Sequence, residues 1–154
     1  MKLSLSVVCF FVLLTLSTGQ SYNWKHAILP AGLSFVSGAS SGLHETILHH
    51  YPQFKSKFPE ANDQYWNPDI SWKNKYANGN NADGPKFPGS TTVFVFTTDA
   101  YHFTNSIHRW TLFSAGLTIG IGEKRPWWHY AIDTAVSFVS YSIGFHAVYS
   151  VYFK

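Results

Sequence analysis

The segment HETILHH, at residues 44–50, contains three imidazoles and one carboxylate. Imidazole and carboxylate groups bind divalent transition metals, and they also act as general acids and bases. On a helix, where successive side chains rotate by about 100°, Glu45 and His49 share one face, whereas His44 and His50 point away from it. The spacing therefore predicts that Glu45 and His49 are the residues of this segment that work together.

Two more acid–histidine pairs lie three or four residues apart in segments that favour helix. They are Asp99 with His102, and His129 with Asp133. Charged side chains are costly inside a protein core or a membrane unless they are paired. We therefore expect at least two of the three pairs to meet in one polar cluster between helices.

Such a cluster has the composition of a transition-metal site. Helical bundles build metal centres from Glu and His side chains that project inward from facing helices. The candidate ligands for a divalent cofactor such as Zn, Mn or Fe are Glu45, His49, Asp99, His102, His129 and Asp133. The last two would be further ligands or would orient the others. In a metal-dependent hydrolase built this way, Glu45 or Asp99 would be the catalytic base.

The same residues also fit a purely structural role. In that alternative the cluster is a hydrogen-bond network that holds the helices together, and Arg109 neutralises one of the carboxylates. A proton relay or a metal-free acid–base site is a third alternative. All three interpretations place the polar chemistry at the same residues.

Three helices are predicted to position these residues. Their expected ranges are 28–50, 91–122 and 127–153. The first follows an initial turn set by Pro30, while the start of the second, TTVFVFTT, is β-branched and aromatic enough to form a strand instead. Residues 53–90 are rich in Pro, Asn, Gly and aromatic residues and have no helical period. They predict an irregular segment that is either a packed cap or a layer at the level of the lipid headgroups, where Trp and Tyr collect.

Small residues form a stripe along the first and third predicted helices, on the same faces as the acid–histidine pairs. The stripes consist of Ser34, Gly38, Ser41 and Gly42 in the first helix, and of Ser137, Ser140, Gly144 and Ala147 in the third. Small side chains let two helix backbones approach closely. A similar face of the second predicted helix continues through Gly116 and Gly120. The stripes therefore predict that each of the three helices meets its neighbours on this face.

The composition indicates contact with a membrane. Charged residues make up 12% of the 154 residues, about half of the roughly 25% that is usual in soluble domains, and aromatic residues make up 18%. A mean hydropathy of -0.06 fits apolar helices joined by a polar segment. A net charge of +3 without any longer basic run excludes a nucleic-acid partner. We therefore predict an all-α fold, a three-helix bundle that is membrane-embedded or membrane-associated, in a single domain at residues 21–154.

Residues 1–20 are predicted to be a signal peptide. Lys2 supplies the positive start, residues 3–16 the apolar stretch, and residues 17–19 a small-residue cleavage site; an uncleaved anchor is the alternative. Cys9 is the single cysteine of the sequence, so cleavage would leave neither disulfides nor thiolate metal ligands. Export without disulfides is typical of a bacterial cell envelope.

The segment DAYHF, residues 99–103, precedes an apolar hairpin that contains several glycines. In these features the last third of the chain resembles small uncharacterised bacterial envelope proteins that open a helix with an Asp…His-Phe motif. The chain departs from those lipoprotein-like relatives because it lacks a lipidation cysteine. The resemblance implies a location in the envelope rather than a reaction.

Two functions therefore compete. The first is a small membrane protein of the cell envelope whose acid–histidine cluster is structural, with the lipid bilayer and another envelope protein as partners. The alternative is a metal-dependent membrane enzyme, a hydrolase, that uses Glu45, His49, Asp99 and His102.

Overall fold

The computed structural model describes residues 21–153, and every regular element within them is helical. The helices are α1 (Lys25–His49), α2 (Tyr51–Lys57), α3 (Asp63–Trp66), α4 (Pro68–Ser71), α5 (Ala100–Gly120) and α6 (Trp127–His146). A π-helical turn, Ala147–Tyr152, extends α6. The prediction of an all-α fold is confirmed. The predicted signal peptide at residues 1–20 lies outside the described residues.

The three long helices have bounds that differ from the predicted ones for local reasons. α1 begins at Lys25, so Pro30 lies inside it and removes one backbone hydrogen bond rather than setting the first turn. α5 begins at Ala100 instead of residue 91, because the side chain of Asp99 accepts a hydrogen bond from the backbone N–H of His102 and caps the helix. The residues before Asp99 form turns, including a 3-10 turn at Val95–Thr97, and not a strand.

The segment predicted to be irregular, residues 53–90, contains short helical pieces. Three of them begin at asparagines whose side chains accept a hydrogen bond from the backbone N–H two residues later. These are Asn62, Asn67 and Asn80. The segment packs through its aromatic residues: Phe54 is buried and stacks on Trp66 at a centroid distance of 5.0 Å. Because α2, α3 and α4 are each short, this packing rather than helix propensity holds the cap in place.

α1 is the central helix, since it packs along both α5 and α6, whereas α5 and α6 make few contacts with each other. The α1–α6 contact is a close approach of two backbones. A Cβ atom on Gly38 would collide with the carbonyl oxygen of Tyr141, and one on Gly144 would collide with the carbonyl oxygen of Phe35. The predicted close approach at the small-residue stripes is confirmed for these two helices, whereas Gly116 and Gly120 of α5 have open space around them.

The α1–α5 contact is made instead by polar side chains. The Ser37 hydroxyl lies 2.9 Å from both the Nδ1 atom and the carbonyl oxygen of His108. The Ser40 hydroxyl donates to the carbonyl oxygen of Thr104 at 2.8 Å. Each of these bonds satisfies a polar group that would be costly to bury alone.

The polarity of the long helices is inverted relative to an ordinary water-soluble bundle. Polar residues among the most deeply buried are Ser34, Ser37, Thr46, Asp99 and Asp133, whereas large apolar side chains that are exposed include Trp110, Phe113, Phe138 and Ile143. A small apolar core of Ile47, Phe54, Ala100 and Phe153 lies at the end of the bundle next to the cap. Within residues 21–153 no helix combines the length and the hydropathy that crossing a bilayer requires.

Candidate functional site

Glu45 and His49 form the predicted pair, but on the surface. The His49 Nε2 atom lies 3.4 Å from a Glu45 carboxylate oxygen, and the two side chains are 59% and 39% exposed, respectively. An exposed pair at i and i+4 on a helix contributes only a few tenths of a kcal/mol, about 0.3 to 0.5. The pair therefore makes a weak contribution to the fold.

His44, predicted to point away from the face that carries Glu45 and His49, faces α5. Its Nδ1 atom lies 3.2 Å from the carbonyl oxygen of Tyr101 and 3.3 Å from the Thr104 hydroxyl. Burial lowers the pKa of His44, although the hydrogen bond to Tyr101 opposes this shift. Because α1 has helices on two sides, a residue that points away from its glycine stripe can still face a helix.

His129 and Asp133 lie one turn apart on α6 but form no hydrogen bond or ion pair with each other. His129 is buried, and neither ring nitrogen has a hydrogen-bond partner within the described residues. Its ring packs against Trp128 at a centroid distance of 3.9 Å and against Tyr22 at 5.2 Å. Burial, followed by the nearby Arg125 guanidinium, lowers the pKa of His129, which therefore favours the neutral imidazole.

Asp133 is paired with Arg125, not with the predicted Arg109. The Arg125 Nη1 atom donates to the Asp133 carboxylate at 2.8 Å, and the other guanidinium nitrogen, Nη2, donates to the carbonyl oxygen of Ile119 at 3.1 Å. The Tyr22 hydroxyl donates to the other carboxylate oxygen of Asp133. Burial and this bond to Asp133 raise the pKa of Tyr22. Tyr22, Arg125 and Asp133 thus connect the segment before α1 with the end of α5 and the start of α6. We call these three residues the clamp.

The six candidate ligands thus lie at two ends of the bundle instead of one shared centre. Asp99 precedes α5, whereas the Asp133 group contacts Ile119 near the other end of the same helix, and a helix of that length spans about 30 Å. No set of three or more His, Cys, Asp or Glu side chains in residues 21–153 is placed to hold a metal ion. The metal role of these residues and the catalytic roles of Glu45 and Asp99 stay predictions.

Of the three predicted pairs, Asp99 and His102 have the shortest distances between carboxylate and imidazole. The His102 Nδ1 atom lies 2.9 and 2.8 Å from the two Asp99 oxygens, and the His102 backbone N–H donates to one of them at 2.8 Å. The Thr98 hydroxyl donates to the other at 2.9 Å. Burial opposes ionisation of Asp99, but these hydrogen bonds outweigh it and lower the pKa of the carboxyl.

The Asp99–His102 pair lines a cavity of about 390 Å³ between α5 and the cap. Ser71, Lys75 and Asp69 contribute polar groups to the same lining. The Ser71 hydroxyl is buried and has no hydrogen-bond partner within the described residues. A buried hydroxyl without a partner is uncommon in proteins, so a polar ligand in this cavity is one way to satisfy Ser71.

The chemistry available in this cavity is acid–base chemistry. A carboxylate bonded to Nδ1 fixes the orientation of an imidazole and leaves Nε2 to exchange a proton with a ligand. Ser71 is not within hydrogen-bonding distance of His102, since its hydroxyl has no partner. The arrangement is therefore an oriented imidazole beside a pocket, without an activated serine nucleophile.

Sequence reasoning missed the partners of the buried carboxylate at the other end of the bundle. Neither Arg125 nor Tyr22 is indicated by residue spacing along a single helix. A basic residue immediately before Pro126 and the start of α6, in a chain with two arginines, was the signal that could have suggested a buried ion pair. Ser71 carried no sequence signal, because a lone serine in a polar segment is usually solvated.

The chain matches no model of a known protein family, no curated protein and no solved structure. The function of the chain is therefore inferred from its residues and their geometry.

Proposed function

We propose that the chain is a small, membrane-associated helical protein of the bacterial cell envelope with a structural role, acting alone or within an envelope complex. The observation that supports the proposal most directly is the inverted polarity of the bundle. Its helices contact each other through glycine, serine and paired carboxylates, while their large apolar side chains face outward. In water this arrangement exposes apolar area that lipid would cover.

The charges are segregated in a way that fits contact with lipid. α1 has no Asp, Glu, Lys or Arg between Lys25 and Glu45, and α5 has none after Arg109. The remaining part of α6 after Asp133 is also free of them. The exposed aromatic residues Trp110 and Phe113 lie within this uncharged zone, with their rings 6.1 Å apart. We infer that this zone lies against the acyl region, with the charged cap and the 122–126 turn in contact with water or headgroups.

Vesicle flotation tests the proposal. The protein should float with phospholipid vesicles, and Trp110→Glu/Phe113→Glu should reduce its partition at least about tenfold, because two large side chains no longer bury their apolar area. Phe87→Glu/Val93→Glu is the matched control, since it places two charges on exposed apolar positions in the cap and in the turns that follow it. Absence of flotation by the parent protein, or an equal loss in both double variants, would contradict the proposal.

A hydrolase is the second candidate, and the cavity at Asp99–His102 favours it. His102 is oriented by a buried carboxylate, and the unpartnered Ser71 hydroxyl lies in the same lining. In the metal-dependent form predicted from the sequence, Glu45 and His49 would join this pair as ligands.

Metal analysis of protein purified without chelator tests that form: stoichiometric metal in the parent and none in Glu45→Ala/His102→Ala would support the enzyme. Absence of metal in both, with easier unfolding of the variant, would support the structural role.

A further inference from the structure

An apolar groove of about 850 Å³ runs between α1, α2 and the C-terminal turn. Its floor is aromatic: Phe54 stacks on Trp66 and lies 5.8 Å from the Phe153 ring. Phe35 and Val36 of α1 form one wall, and both are exposed. The volume is within the range of about 300 to 1,000 Å³ that small-molecule sites occupy.

Two opposite charges lie in the lining of this groove, Lys57 and Glu60. Neither forms an ion pair within residues 21–153, whereas the neighbouring Lys55 is engaged by Asp63 at 2.9 Å. The Lys57 ammonium lies 5.4 Å from the centre of the Tyr152 ring, which also lines the groove. The Ser40 hydroxyl in the lining is already used, since it donates to Thr104. The charged groups left for a ligand are therefore one cation and one anion.

We propose that this groove binds one hydrocarbon chain of a zwitterionic phospholipid. The chain contacts the aromatic floor, Lys57 contacts the phosphate, and Glu60 contacts the headgroup ammonium. A fatty acid would match Lys57 but would be repelled by Glu60, and an anionic phospholipid would have the same mismatch. The proposal deepens the proposed membrane association, on which it rests, by naming a lipid class and a site.

Titration with lysophosphatidylethanolamine below its micellar concentration tests the chain-binding part. In a series of increasing chain length, affinity should rise up to about fourfold for each added methylene, because each one buried contributes about 0.8 kcal/mol. A brominated chain should quench Trp66 fluorescence, and Trp66→Phe should lack that component. Affinity that does not depend on chain length, or quenching that persists unchanged in Trp66→Phe, would overturn the proposal.

A filled groove gives the matched test. Val36→Trp places an indole in the groove, and Val139→Trp makes the same change at an exposed valine of α6 outside it. The first variant should bind the lysolipid at least about tenfold more weakly, whereas the second should bind as the parent does. Helical circular dichroism checks that both fold. Equal weakening in the two variants would contradict a site at the groove.

The headgroup part is tested with two further variants. Lys57→Met should weaken binding of the lysophospholipid about two- to fivefold, as expected for a partly exposed charge pair. Lys73→Met is its control, because the Lys73 ammonium also lies over an aromatic ring, at 5.7 Å from the Trp72 ring centre, but outside the groove. Glu60→Gln should remove the preference for ethanolamine over glycerol headgroups. No difference between the two lysine variants would refute the headgroup assignment.

These titrations use monomeric lipid, so they are independent of vesicle flotation. Chain-length-dependent binding without flotation would support the groove and refute the proposed membrane association. Flotation without a Val36→Trp effect would support the membrane association and refute the groove.

Discussion

Asp133 and Asp99 are both fully buried carboxylates, one at each end of α5, but they have different partners. Asp133 is held by Arg125 and Tyr22, whose other contacts are also within the protein. Asp99 is held by Thr98 and by His102, and His102 lines a cavity. Burial of an acid therefore does not by itself indicate chemistry. The group whose partner meets a pocket is the candidate for it.

The largest expected effect comes from breaking the pair at the Asp133 end. Arg125→Met leaves the Asp133 charge buried without its cation, which should cost about 3 to 5 kcal/mol of the free energy of unfolding. Urea denaturation followed by circular dichroism measures this. Lys124→Met, a change of the neighbouring exposed residue, should cost less than about 0.5 kcal/mol.

Removing both charges at this end refines that result. Arg125→Met/Asp133→Leu should recover most of the lost stability, because no unpaired buried charge remains. A cost for Arg125→Met no larger than that for Lys124→Met would mean that Asp133 is not held by the clamp.

Asp133 lies on α6, and the glycine contact fixes the position of α6 against α1. Gly38→Ala should destabilise the fold by about 1 to 3 kcal/mol, since its Cβ atom would collide with the Tyr141 backbone. Gly32→Ala, in the same helix but with open space around it, should instead stabilise by about 0.5 to 1 kcal/mol. Thermal unfolding of the two variants measures the contrast, and two changes of the same sign would contradict the close approach.

The Asp99 end should show a pH-dependent effect of intermediate size. Asp99→Ala should cost about 1 to 2 kcal/mol at neutral pH through loss of the helix cap, whereas Asp99→Asn retains a capping oxygen and removes only the charge. The pKa of Asp99 is lower in the folded protein than its usual value. The stabilisation by its charge is therefore complete above pH of about 4 and declines as the pH falls through the folded value.

Urea denaturation of the parent and Asp99→Asn across that pH range checks this sign. The difference in free energy of unfolding between the two proteins should shrink toward acid pH. A difference that grows as the pH falls would mean that the carboxyl is stabilised in its protonated form.

Part of this arrangement followed from local sequence, and part depended on tertiary contacts. The small-residue stripe containing Gly38 predicted a close helix approach on that face of α1, because side-chain size and helical spacing determine where backbones can meet. The helical stripe in α5 was misleading at Gly116 and Gly120, which have open space around them. A stripe shows which face of a helix has small side chains, but it does not show whether another helix covers that face.

The candidate site was predictable to the same limited degree. The Asp99–His102 contact forms because the two residues are three apart at a helix start, and that is local information. Arg125 reaches Asp133 only because the turn after α5 folds against the start of α6. The spacing of residues along one helix cannot indicate that contact. The contact of His44 with α5 was not predicted for a similar reason, since spacing along α1 does not indicate that the helix is packed on two sides.

The smallest expected effect is at the third pair, Glu45 and His49, which tests whether an exposed pair differs from the two buried acids. In a double-mutant cycle with Glu45→Gln and His49→Gln, the coupling should be no more than about 0.5 kcal/mol, because water screens both partners. Both side chains are more than one-third exposed in the structure. A coupling above about 1.5 kcal/mol would require a third group that binds both, which is the expectation of the metal-site hypothesis. Repeating the cycle after chelation would then separate a metal from a direct ion pair, because only a metal-mediated coupling should disappear.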